Sequence, residues 1–284
     1  MTNYGGLSPE YSDYNHSEIV IIPVPYDGTS TWGKGADRGP EAILEASANM
    51  ELYDIDTDSE VYLRGIHTSA PVEEMSSPEK MVEQVYGISR KHLENGKFLV
   101  TLGGEHSVTA GTIKAFREKY KNLCVLQIDA HTDLRKEYLG SKFNHACVMA
   151  RVRELCPIVQ VGIRSMDVEE KKYLVPGRVF FAKDIIGGKT GWMEEVIDKL
   201  DEEVYVTIDL DAFDPSVIPA TGTPEPGGLL YHEVLELIRK VISRKQLVGF
   251  DVVELCPNDH SKASDFLASK LIYQLLSYKF LERD

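Results

Sequence analysis

Residues 123–133 read LCVLQIDAHTD. They open as a short apolar run, Leu123–Ile128, of the kind a buried parallel strand shows. The run then places Asp129, His131 and Asp133 at every second position. Alternate side chains of an extended chain share one face, so these three point together. Two carboxylates and an imidazole at a strand's end suit a hard oxygen/nitrogen metal site. The plain alternative is a polar turn with an Asp capping the next helix, and a single Asp would favour it. Two further pieces repeat the pattern. Residues 204–211, VYVTIDLD, run from an apolar strand into Asp209 and Asp211. Residues 98–106, FLVTLGGEH, run through Gly103 and Gly104 into Glu105 and His106. Sites in open parallel sheets form at the carboxyl ends of strands, and there the three pieces can meet.

The rest of the chain alternates in the same way. Strands are expected at 18–24, 61–66, 98–102, 123–128, 158–163, 178–182, 204–208 and 247–253, the second at an edge. Helices are expected at 78–95, 108–120, 146–155, 191–200, 231–243 and 264–281. Met81, Val82, Val85, Ile88 and Leu93 carry helical spacing, and Gly96 stops that helix. Ser107 is expected to cap the next one, and Pro40 to occupy a first helical position. Residues 1–17 read as a loosely docked arm. The alternation predicts an α/β fold with one mostly parallel sheet of about eight strands, covered by helices on both faces. No repeat or linker divides the chain, so 1–284 is expected to form a single domain. The long Pro/Gly loop 214–228 lies where loops at strand ends are commonly functional.

Composition narrows the function. A net charge of -14 argues against a nucleic-acid partner, which needs basic surface. No apolar run is long enough to cross a bilayer. The N-terminal stretch lacks a basic start and an apolar core, so no secretory signal is read and a cytoplasmic location is expected. Cys124, Cys147, Cys156 and Cys256 form no C-x-x-C pair and are expected to be reduced thiols.

His106, Asp129, His131, Asp133, Asp209 and Asp211 exceed the four ligands of a structural zinc. Their four carboxylates balance two divalent cations. If two Asp residues bridge, six side chains supply four bonds to each metal. Two metals about 3.5–4 Å apart activate a shared water at neutral pH. Oxygen-rich ligation favours Mn²⁺.

Taken together, Gly103-Gly104-Glu105-His106-Ser107, Asp129-Ala130-His131-Thr132-Asp133 and Asp209-Leu210-Asp211-Ala212-Phe213-Asp214-Pro215 resemble the three metal motifs of the ureohydrolase (arginase/agmatinase) family. The resemblance extends to Pro25-Tyr26-Asp27, to Gly39-Pro40, to residues 221–228 and to Glu254, covering almost the whole chain. It implies a three-layer α/β/α sandwich with two Mn²⁺ per chain. His106, Asp129, Asp133 and Asp209 would hold one ion; Asp129, His131, Asp209 and Asp211 would hold the other, with Asp129 and Asp209 bridging. The implied reaction is metal-hydroxide attack on a guanidinium carbon, giving urea and an amine. Glu254, at the end of an apolar strand, can pair with the planar guanidinium. His145 matches the family's loop histidine, which is implied to shuttle protons to the leaving amine. Glu105 reads as a supporting neighbour of a ligand. A homotrimer or homohexamer is implied as well.

The small cationic substrate is expected to be agmatine, cleaved to putrescine and urea. Arginases resemble Asp-x-Asn where this chain has Asp133-Leu134-Arg135, and they follow the loop histidine with Gly where Ala146 stands here. Residues 144–149 look more like agmatinases. Asp167 either meets the distal amine or caps the helix after Val168. N1-aminopropylagmatine would use the same chemistry. Arginine, guanidinobutyrate or formimino-glutamate would need a basic anchor, such as Arg135 or Arg164. A single-zinc deacetylase-type enzyme and a metal-stabilised oligomeric scaffold are the remaining alternatives.

Overall fold

The apolar runs fold into eight strands of one sheet in a computed structural model that describes residues 2–281. Met1 and residues 282–284 of the expected 1–284 domain lie outside the described residues. The strands are β1 (Ile19–Val24), β2 (Ile66–Thr68), β3 (Phe98–Gly103), β4 (Leu123–Ile128), β5 (Ile158–Ile163), β6 (Val179–Phe181), β7 (Glu203–Asp209) and β8 (Gln246–Val253). Their order is β2-β1-β3-β8-β7-β4-β5-β6, and every neighbouring pair is parallel.

Alternation explains why the strands are apolar throughout. Ile19 and Ile21 pack on one face with the helices Gly39–Ser47, Tyr231–Arg244 and Ala263–Phe280. Val20, Ile22 and Val24 pack on the other with Pro78–Glu94 and Thr109–Lys119. Both faces are covered, as a parallel sheet requires, and three α/β/α layers result. Pro23 fits inside β1 because the short β2 pairs only with Ile19 to Ile21.

The chain lays down its outer strands first and returns through β7 and β8 to the middle. The register sets Leu102 beside Val252, Asp209 beside Val253 and Ile128 beside Ile208. Four adjacent strands, β3, β8, β7 and β4, therefore end at one level. Their ends carry the three motifs and Glu254.

Several local expectations change. The N-terminal segment is not loosely docked: Tyr4 is fully buried and its hydroxyl donates to the Ser269 carbonyl at 2.7 Å. Val61–Arg64 is a 3₁₀ turn, and the strand begins after Gly65, whose φ of +74° turns the chain; the strand is at the edge, as expected. Ser107 caps nothing; its hydroxyl donates to Glu105, and a 3₁₀ turn, His106–Val108, leads into the helix. The helix expected at 146–155 spans only Val148–Val152. Residues Val168–Tyr173 form a 3₁₀ run. The four cysteines are free thiols, and among the described residues no helix is long and apolar enough to cross a membrane.

Candidate metal and catalytic centre

After β3 the chain turns sharply through Gly104 and Glu105 to His106. Only glycine fits at 104, since a Cβ there would lie 2.0 Å from the Tyr26 carbonyl oxygen. Asp133 and Glu254 hold φ values of 51° and 66°. Non-glycine residues reach that left-handed region at a cost of roughly 1–3 kcal/mol, typically where surrounding structure fixes a functional side chain. Here the Asp133 carbonyl accepts from Met149 and Ala150, and the Glu254 N–H donates to the Gly104 carbonyl.

The six expected ligand residues converge. His106 Nδ1 lies 3.1 Å from Asp129 Oδ2, 3.1 Å from Asp133 Oδ2 and 3.4 Å from Asp209 Oδ2. His131 Nδ1 lies 3.0 Å from Asp211 Oδ2 and 3.8 Å from Asp129 Oδ1. Two compact groups result, His106/Asp129/Asp209 and Asp129/His131/Asp211, with Asp129 in both. Asp209 falls in the first group; its Oδ1 accepts the Asp211 N–H at 2.9 Å. Burial and the facing Asp133 and Asp211 push the Asp129 carboxyl up to about 7. Burial alone would lower the His131 pKa, but Asp211 and Asp129 carry it up to about 11. The cluster is short of positive charge.

A proton count at His106 tests whether a metal fits. Thr207 Oγ1 donates to Asp251 Oδ1 at 2.6 Å and lies 2.9 Å from His106 Nε2. With its hydrogen so used, the hydroxyl can only accept from Nε2–H, so Nδ1 is the nitrogen turned toward the three carboxylates. That buried Nδ1 hydrogen-bonds to none of the three carboxylate oxygens around it. Nδ1 facing three such oxygens needs a cation between them: against the effect of burial, the carboxylates raise the His106 pKa and hold a proton there when no metal is bound, and a metal ion takes that proton's place. The donor set therefore fits hard divalent metal ions. Thr207 and Asp251 are not among the site residues expected from the sequence. The signal for Asp251 is a carboxylate inside the apolar run LVGFDVV, where full burial demands donors; Tyr205 supplies a second at 2.9 Å.

A cleft of about 180 Å³ opens over the cluster, lined among others by His145, Glu254 and Asp167. Glu254 Oε1 accepts the His106 N–H at 2.7 Å. His145 sits at the start of a short turn capped by Asn144, with Nδ1 3.1 Å from Thr29 Oγ1. Burial lowers its pKa. Asp167 caps the 3₁₀ run, accepting from Glu169 N at 2.8 Å, and also meets Arg135 at 3.2 Å. Arg164 is committed elsewhere: its guanidinium donates to the carbonyls of Gly162, Asp211, Ala212, Phe213 and Glu225. The 214–228 loop reaches the centre, with Glu225 Oε1 3.6 Å from His131 Nε2.

Fold and site define a parallel α/β enzyme scaffold with metal-ligand groups at the carboxyl ends of its central strands. A sequence model of the arginase family matches residues 17–277. The N(1)-aminopropylagmatine ureohydrolase of Synechocystis sp. is 38% identical, over 95% of this chain and 92% of its own. The agmatinase of Pyrococcus horikoshii is 34% identical, over 93% of each chain. Among solved structures, the agmatine ureohydrolase of Thermoplasma volcanium superposes with a TM-score of 0.87 at 31% identity, over 98% of this chain and 94% of that one. The chain belongs to the arginase family, and within it is an agmatinase-like ureohydrolase.

Proposed function

We propose that this chain hydrolyses agmatine to putrescine and urea at a centre of two Mn²⁺ ions. The observation that carries the reading is two candidate ligand groups joined by the buried Asp129 under a cleft that Glu254 lines. His106, Asp129, Asp133 and Asp209 would hold one ion; Asp129, His131, Asp209 and Asp211 would hold the other. When bound, such a pair lowers the pKa of a shared water to near neutrality.

The chain's own residues do the rest. Glu254 Oε1 is engaged by the His106 N–H, so Oε2 is free to pair with the guanidinium. The leaving nitrogen departs as an amine only once it is protonated. His145, neutral at physiological pH because burial lowers its pKa, takes the proton released by the attacking water and delivers it to that nitrogen. Acidic substrates are disfavoured. Arg135 is the only Lys or Arg among the described residues lining the cleft, and Asp167 already pairs with it. The family resemblance further supports a homotrimer or homohexamer of single-domain chains.

N1-aminopropylagmatine is the second reading. It is supported by the 38% identity to a relative named for it. Its extra amine could meet Asp167, which lines the same cleft. Urea release from agmatine, N1-aminopropylagmatine, arginine and 4-guanidinobutyrate, measured side by side, tests both. The highest kcat/KM with agmatine supports the first reading, and with aminopropylagmatine the second. If arginine or guanidinobutyrate leads, both readings fail.

A further inference from the structure

We propose that Glu105 and Thr29 are positioning residues for His145. They hold its imidazole as the Nδ1–H tautomer and leave Nε2 to accept and deliver the proton. The inference rests on the assignment of proton transfer to His145 made above.

Glu105 is fully buried in the turn after β3. Three donors meet its carboxylate. Oε1 accepts the Thr29 hydroxyl at 2.7 Å and the Ser107 hydroxyl, and Oε2 accepts the Thr29 N–H. Both oxygens face donors, a backbone N–H at Oε2 and two hydroxyls at Oε1, and these three contacts favour the ionised carboxylate against the opposing effect of burial. The group is built to accept.

Thr29 then fixes the ring of His145. A threonine hydroxyl has one hydrogen and two lone pairs. Its hydrogen goes to Glu105. One lone pair takes the His145 backbone N–H at 3.0 Å. The remaining contact, 3.1 Å to His145 Nδ1, is satisfied only if that nitrogen is the donor. Hydrogen bonds are complete with the hydrogen on Nδ1 and a lone pair on Nε2. The ring borders the cleft, and Nε2 is the nitrogen left for the reaction.

The arrangement serves both protonation states. In the neutral ring it selects the useful tautomer. When Nε2 takes a proton, Nδ1–H still donates to Thr29, and the Glu105 charge lies one hydroxyl away to stabilise the imidazolium. The logic is that of the carboxylate behind the histidine in serine proteases, with a hydroxyl interposed. Neither Glu105 nor Thr29 needs to touch substrate.

The test compares kcat, KM and bound Mn²⁺ for Thr29→Val, Thr29→Ser, His145→Gln and the Thr29→Val/His145→Gln double variant of the Mn²⁺-loaded enzyme. Thr29→Val removes the hydroxyl and keeps the shape. It is expected to lower kcat by on the order of 10–100-fold, less than the ~10⁴-fold that a wrong tautomer costs in the protease triad. KM and metal content should stay at wild-type values. Thr29→Ser restores the hydroxyl and should recover most of the loss. In the His145→Gln background, Thr29→Val should cost nothing further, because the residue it positions is gone. The relay is overturned if Thr29→Val keeps wild-type kcat, if Thr29→Ser is as poor as Thr29→Val, or if the Thr29→Val loss adds in full to that of His145→Gln. Wild-type kcat in His145→Gln itself overturns the proton-transfer reading instead.

Discussion

Thr207 Oγ1 and His106 Nε2 lie 2.9 Å apart in a fully buried setting, on two elements a hundred residues apart in the chain. Since the Thr207 hydrogen goes to Asp251, this contact holds the hydrogen on Nε2 and turns His106 Nδ1 toward Asp129, Asp133 and Asp209. Outer partners of this kind typically contribute 10–100-fold to metal affinity. Thr207→Val is therefore expected to weaken Mn²⁺ binding by about that factor, read by competition with a chelator. Unchanged affinity would remove Thr207 from the support of the metal site.

Glu254→Gln keeps a carbonyl oxygen for the His106 N–H but loses the charge that faces a guanidinium. Hydrogen bonds to charged groups contribute about 1.5–3 kcal/mol. The expected fall in kcat/KM is roughly tenfold to a few hundredfold, with bound metal unchanged. Wild-type kcat/KM in urea release would show that another group anchors the substrate.

The sequence displayed the candidate ligands because each motif is local. Asp129, His131 and Asp133 announce a shared face by alternation alone, and Asp209 with Asp211 does the same. Glu254 was legible as a carboxylate ending an apolar strand. The eight-strand parallel sheet followed from the alternation of apolar runs with helical patterns. The supporting residues were hidden for a physical reason. Thr207 and Asp251 act through contacts that depend on β7 and β8 returning between β3 and β4, and Thr29 acts through the loop after β1 meeting Glu105 and His145. A strand order of that kind leaves no local trace. Tyr4 was missed similarly, since an N-terminal tyrosine in a polar stretch gives no hint that the last helix supplies its hydrogen-bond partner.

A pH dependence of stability follows from His92. Burial first, then His67, Lys91 and Lys97, push its pKa down to about 4. Its Nδ1 faces the Tyr14 hydroxyl at 3.0 Å, which the neutral ring accepts. The folded pKa lies below the unfolded value near 6.5, so this contribution is complete above about pH 6.5 and is lost as pH falls toward 4. His92→Gln keeps an acceptor and does not titrate. The stability difference between wild type and His92→Gln, from urea unfolding, should shrink from pH 6.5 to pH 4. A difference that stays constant across that window contradicts the assignment.

Titration of metal-free protein with Mn²⁺, while following urea release from agmatine, tests the two-metal hydrolase most directly. Asp129 lies in both candidate ligand groups, so two ions held there would share one carboxylate. Urea release is predicted to rise with added metal and to level off at two ions per chain. A plateau at one ion per chain, or no urea at any Mn²⁺ level, would contradict it.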